Sequence, residues 1–436
     1  MASSKGKKVE DKPVPLAKRA KAAQDAAPDM DERVASFHLA LNKKMGGRGQ
    51  IQRASECAMP YLTKRYPTGL LSLDVALGGG FPAGGLSQIA GPKNSCKTYL
   101  YWQVIRQLQH ILGDRMKVLL AMTEMRADRQ QGRLAGVEVA LHPSDIESLN
   151  KGRIKNGWPA FTDADVAALQ REVGQIDELH GESAEVLYDG ILQAVELNIY
   201  HLIVIDSFGS IMTGAEADAE SLDEKFYGGA AAINTRFLRK LTALLTMNDA
   251  YGLPREVCVL GINQIRANIG DRYREFKTTG GFALEHAKFV DLWLTSGQPQ
   301  GYHDQLYGSK GTDKQFVQTG KEINWKIEKG KAGIHEGEKG SFIYDFRINQ
   351  ADFYLDTLVA GVRHGVVETA GAWLRLPNPD NPGQPLLNCN GKDKFIEAMV
   401  QDVQQKAATG DSNTFLNYIR EKVFRAKDIN ISYDWK

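Results

Sequence analysis

A chain of 436 residues, 42% hydrophobic and 25% charged, is long enough to bury a sizeable core in two or three domains. Its formal net charge of +1 announces no global attraction to nucleic acid, so any DNA site has to be local. Four cysteines without C-x-x-C or zinc-ligand spacing point to a reducing, cytoplasmic setting, and neither an apolar run of about 18 residues nor a signal-peptide core argues for a membrane partner or export.

Residues 1–30 read as a disordered basic tail, with seven Lys/Arg against Glu10 and Asp11 before Gln24. It could touch DNA phosphates or be simply solvated. Residues 31–66 open with Val34, Phe37, Leu41 and Met45 at helical spacing, and Gly46-Gly47 stops the helix. That helix is too short to fold alone, so its apolar face should dock on this core or on a neighbouring subunit. The segment 67–350 carries the main domain. Leu86–Gly91 predicts a buried strand, and Gly91-Pro92-Lys93-Asn94-Ser95-Cys96-Lys97-Thr98 matches G-x-x-x-x-G-K-[ST] except at Cys96. Such a loop turns backbone N–H groups toward phosphates at the positive end of the helix that Lys97, Thr98 and Tyr99 begin. Lys97 would reach the terminal phosphates and Thr98 would hold Mg²⁺.

Three more apolar runs end in polar groups: Lys117 to Glu124, His201 to Asp206, and Val257 to Asn263-Gln264. Continuous β-branched runs predict parallel strands buried on both faces, whose carboxyl ends form the ligand edge of an open α/β sheet. Asp206 can orient Mg²⁺ directly or through water, or cap the next segment. Within this domain 141–185 is polar, lacks a strong period and reads as an insertion. Gly297–Gly320 reads as a Gly/Gln-rich loop, and alternating Ile323, Trp325 and Ile327 predict a strand ahead of Lys329-Gly330-Lys331. After Asp352 a smaller domain, 351–436, carries helical patterns at Phe395–Val403 and Phe415–Val423. No internal repeat is evident.

Several ordered motifs resemble RecA-type recombinases. Thr68 to Pro92 is similar to that family's approach to its phosphate loop. Asn263-Gln-Ile-Arg-Ala-Asn268-Ile-Gly270, then Thr278-Thr279-Gly280-Gly281, is similar to its second DNA loop and flanks. Lys43 to Arg53 and Ala370-Gly-Ala-Trp373 match further family segments, so the likeness spans roughly residues 31–375. Cys96, the insertion and the altered carboxyl end suggest a divergent or phage-encoded relative. The implied fold is α/β: a RecA-like ATPase core with a mostly parallel twisted sheet flanked by helices, an amino-terminal polymerisation helix and a small α+β carboxyl domain.

The resemblance also implies roles. Glu124 would align and deprotonate the attacking water. Asp128 would contact the adenine, although Gln131 stands near the place of the family's stacking aromatic. Gln264 would sense the terminal phosphate; a buried structural glutamine is the plainer reading. Arg266, Asn268, Arg272, Tyr273, Arg274, Phe276, Lys277, Thr279, Gly280 and Gly281 would form one DNA-binding loop, with cations for phosphates and aromatics for bases. The first DNA loop falls on Ala215–Gly229, where five acids face Lys225 and the contacts rest on Phe226-Tyr227-Gly228-Gly229. Lys329 and Lys331 resemble a cation pair that reaches the neighbour's ATP, or else form a solvated turn. Cys96, at a helix start beside Lys97, is expected to be more acidic than an ordinary thiol, or inert and packed; a positive φ there would strain it.

The implied protein is a DNA-dependent ATPase using ATP and Mg²⁺, a homo-oligomeric helical filament on single-stranded DNA that pairs it with double-stranded DNA and exchanges strands. Partners would include single-strand-binding and loader proteins, in a bacterial or infected host cytosol. A hexameric DnaB-like helicase and a DNA-coating nucleotide-binding protein without meaningful hydrolysis are the alternatives.

Overall fold

A computed structural model of the chain describes residues 29–46, 49–123, 126–208, 212–217, 229–267, 276–278, 281–305 and 314–429. Its residue contacts divide it after Ala58. The described part of the first unit holds helix α1 (Met30–Met45), which Asp29 caps through its side chain and Gly46 ends in the left-handed region at φ 56°. The Asn42 side chain donates to Ile51 O and accepts from Ile51 N, tying the following segment to the helix. None of the α1 side chains is buried.

The second unit begins with β1 (Arg65–Tyr66), α2 (Leu71–Ala76), β2 (Phe81–Pro82), β3 (Leu86–Gly91), α3 (Lys97–Leu112) and β4 (Lys117–Met122). Next come α4 (Arg129–Leu134), α5 (Pro143–Lys155), α6 (Asp163–Gln170), β5 (Gln175–Leu179), α7 (Ala184–Leu197) and β6 (Leu202–Asp206). They lead to α8 (Gly214–Ala217), α9 (Gly229–Leu245), β7 (Cys258–Ala267), β8 (Phe276–Thr278), α10 (Gly281–Ala287), β9 (Lys288–Gln305) and β10 (Lys314–Gly330). The chain then forms β11 (Lys339–Asp345), β12 (Gln350–Ala351), α11 (Phe353–Arg363), β13 (Glu368–Ala370), β14 (Trp373–Leu376), β15 (Leu387–Asn390), α12 (Lys392–Ala407) and α13 (Phe415–Ala426).

Nine strands follow the order β12-β11-β10-β9-β3-β7-β6-β4-β5, with β8 beside β7. From β9 to β5 every neighbouring pair is parallel, whereas β10, β11 and β12 extend the sheet antiparallel. The fold is the expected α/β arrangement with a mostly parallel sheet. Its two-sided burial follows from the sequence, because alternate residues of an apolar strand leave on opposite faces. Val118, Leu120, Leu202, Val204, Cys258, Leu260 and Ile262 join α3 in one core. Leu119, Ala121, Ile203, Ile205, Val257 and Val259 join α7 and α9 in the other. Gly261 sits where a Cβ would lie 1.8 Å from the Phe208 ring, so no larger residue fits there.

The polar stretch 141–185, read as an insertion, contains α5, α6 and β5, and β5 pairs in parallel with β4 as the edge strand of the main sheet. One expectation is corrected. The stretch Gly297–Gly320 is not a loop over its described part: β9 and β10 run through it as a long antiparallel pair, with Phe316 opposite His303 and Gly320 opposite Gln300. A third core joins Leu358, Phe395, Met399, Ile419 and Val423 of the carboxyl region to Leu71 of α2.

Candidate nucleotide and DNA site

Parallel pairing aligns the carboxyl ends of the central strands. Gly91 of β3 lies opposite Gln264 of β7, Asp206 of β6 opposite Ile262 of β7, and Met122 of β4 opposite Asp206. Thr123 follows at once: its N–H donates to Asp206 O at 2.9 Å, and its hydroxyl accepts from Ser207 N at 2.8 Å and donates to Ser207 O at 3.0 Å. Thr123 therefore clips two strand ends together beside Asp206, a role the sequence reading missed. The register brings Lys97, Thr98, Asp206 and Gln264 to one edge of the sheet. Glu124 lies outside the described residues.

The loop between β3 and α3 has the backbone that a phosphate cradle requires. Asn94 and Cys96 occupy the left-handed region at φ 64° and 62°. A Cβ on Gly91 would sit 2.4 Å from both Leu294 O and Ser95 Oγ, which only glycine avoids. Ser95 donates to Pro92 O at 2.9 Å, closing the turn, and α3 begins at Lys97. The Lys97 ammonium donates to Gly91 O and Pro92 O at 2.9 and 2.7 Å, inside the loop it would neutralise with phosphate present. Lys93 is exposed and Thr98 half-buried. These residues fit an anionic phosphate chain, and Thr98 and Asp206 carry oxygens of the type that could hold a divalent cation.

Three further candidates can be placed. The Tyr99 side chain is core, 1% exposed; its hydroxyl accepts from Ala351 N at 2.7 Å and its ring meets Tyr344 edge-on. Only its backbone N–H is left for a phosphate. The Cys96 thiol is not acidic: burial pushes it up to about 11, and the nearby ammonium groups of Lys321 and Lys97 offset that only in part. Asp128 is exposed and caps α4, accepting from Gln131 N at 2.9 Å.

Beneath the loop runs a buried polar chain. Lys288 pairs with Asp291, Asp291 accepts from Gln88 Nε2 at 2.7 Å, and Gln88 accepts from Asn263 Nδ2 at 3.0 Å. Asn263 Oδ1 in turn accepts from Gln264 N at 2.8 Å. The charged pair is 2% and 5% exposed, and a buried pair of this kind needs such partners. Nearby, Lys329 and Lys331 donate to Glu285 O and His286 O at the end of α10, where cations suit the helix dipole. Burial, then the charges of Lys331 and Lys288, lower the Lys329 pKa.

The segment expected to form the second DNA loop leaves this edge on β7, which pairs antiparallel with β8, with Ile265 opposite Thr278, Arg266 opposite Lys277 and Ala267 opposite Phe276. Gly281 starts α10 and Gly229 starts α9. Asn268, Arg272, Tyr273, Arg274, Thr279 and Gly280, like Phe226, Tyr227 and Gly228, lie outside the described residues. Among the described residues no cluster of three His, Cys, Asp or Glu side chains could hold a metal, and no helix is long and apolar enough to cross a membrane.

No protein-family model matches the chain. Individual proteins do. The chain is 29% identical over 356 residues to Protein RecA of Citrifermentans bemidjiense, covering 79% of this chain and 86% of that protein. It is 29% identical to Protein RecA of Geobacter sulfurreducens, covering 86% and 94%, and 28% identical to that of Thermus thermophilus, covering 88% and 92%. A likeness that runs through nearly the whole of those relatives, on a mostly parallel α/β sheet with a phosphate-loop sequence at its carboxyl edge, supports a divergent RecA-type recombinase.

Proposed function

We propose that the chain is an ATP-dependent recombinase that polymerises on single-stranded DNA and carries out homologous pairing and strand exchange, with DNA-dependent ATP hydrolysis. The observation that carries this reading is the register that sets Gly91 against Gln264. It ties the phosphate loop to the strand whose continuation is the DNA hairpin. A change at Gln264 therefore travels along one continuous backbone into Arg266.

ATP with Mg²⁺ would supply a hydrolysable phosphoanhydride and a divalent charge. In this reading Lys97 and the loop N–H groups bind the phosphates, and Thr98 and Asp206 hold the cation. Glu124 accepts the proton of the attacking water. Lys329 and Lys331, held at the end of α10, present charge to the nucleotide of an adjoining subunit. Arg266, Arg272, Arg274 and Lys277 neutralise DNA phosphates while Tyr273 and Phe276 meet bases.

The test is strand exchange between circular single-stranded DNA and linear duplex, with ATP. Joint molecules should form with homologous duplex and not with unrelated duplex, and Lys97→Ala should abolish them. Unwinding of forked duplex without homologous pairing would instead favour a helicase, and DNA binding without pairing a passive coat.

A further inference from the structure

We infer that Lys321 is a second phosphate-binding cation of the nucleotide site, supplied by the sheet rather than by the loop. Lys321 lies on β10, opposite Pro299 of β9 and Tyr344 of β11, two strands from β3. Yet its ammonium donates to Asn94 O, in the middle of the phosphate loop and 227 residues away in sequence. It also stands 6.0 Å from the centre of the Phe346 ring. Lys321 and Lys97 both act on the Cys96 thiol, so two cations from two elements converge on this one turn.

Three carbonyls of the loop, Gly91 O, Pro92 O and Asn94 O, thus receive two ammonium groups. A neutral carbonyl is a weaker partner for an ammonium than a phosphate oxygen is, because the anionic oxygen adds a charge–charge attraction. A polyphosphate in the loop would draw both cations off these carbonyls. The left-handed Asn94 holds its carbonyl where Lys321 reaches it, so the loop keeps the cation in reserve at the site.

This inference rests on the phosphate-loop reading, and the experiment separates the two. Dissociation constants of the full-length chain for ATP and for adenosine would be measured at low and moderate salt, for wild type, Lys321→Ala, Lys321→Met and Lys321→Arg. Thermal melting without nucleotide reports folding. Losing one charge-assisted bond should weaken ATP binding by about tenfold or more in Lys321→Ala and Lys321→Met. Adenosine binding should stay unchanged, the salt dependence of ATP binding should flatten, and Lys321→Arg should recover most of the loss. ATP binding within about twofold of wild type in a folded Lys321→Met would overturn the proposal, since lost charge would then cost far less than one such bond. So would equal losses for ATP and adenosine, which would mark a packing role. A wild-type chain that binds no ATP overturns the phosphate-loop reading and this proposal with it.

Discussion

Cys96 concentrates the residue-scale physics of the site. A side chain in the left-handed region costs on the order of 1–3 kcal/mol at a constrained position, and the thiol recovers part of that by packing against the core. Cys96→Gly should therefore raise the unfolding free energy by about 1 kcal/mol, read from urea midpoints. Equal or lower stability would mean that thiol packing outweighs the strain. The motif around this residue was legible because a phosphate loop has a local signature of glycine, lysine and threonine. The chemistry of Cys96 was not legible, because helix start and neighbouring lysine point to an acidic thiol and only the fold reveals how far burial reverses them. Thr123, Gln88 and Lys321 went unread for a related reason: each owes its role to a partner brought close by strand order.

At the level of elements, the central strands could be read because both faces of β3, β4, β6 and β7 are buried and their apolar runs are continuous. The outer ends of β9 and β10 escaped, since exposed residues such as Thr295, Ser296 and Tyr302 leave no apolar rhythm. The edge strand β5 failed for the same reason, with no residue fully buried. Between α2, α11 and α13 lies a buried charge cluster that links the carboxyl region to the core. Asp74 accepts from Thr68 N, Thr68 Oγ1 and Gly69 N, Asp356 accepts from Ser72, and Arg420 lies 3.9 Å from Asp74. Burial outweighs Arg420 and these donors, raising Asp74 from 3.8 to about 7 and Asp356 to about 6. The folded state thus retains protons that the unfolded chain releases above pH 4. The stabilisation is full below the unfolded value and lost as the pH rises through the folded one. Between pH 5 and 7 the urea midpoint should fall, and Asp74→Asn should flatten that fall by up to about 1.4 kcal/mol per pH unit. An identical slope in wild type and variant would remove Asp74 as its source.

For the whole molecule, a net charge of +1 leaves any DNA attraction to one local face, and in the proposed reading that face would be coupled to the phosphate loop through β7 and the chain from Lys288 to Gln264. The order of the motifs along the sequence disclosed the fold class and the edge where they meet, since a parallel sheet gathers strand ends. It did not disclose that Lys329 and Lys331 rest on α10 of their own chain, a contact set by how β10 ends against that helix. The measurement that tests the central claim most directly is steady-state ATP hydrolysis by the full-length chain, with and without single-stranded DNA. A DNA-coupled recombinase should turn over slowly alone and at least about tenfold faster with single-stranded DNA, as expected when DNA binding completes catalytic positioning. Lys97→Ala should be inactive in both conditions. Hydrolysis that is absent in the presence of single-stranded DNA, or that proceeds at the same rate without it, would contradict the account.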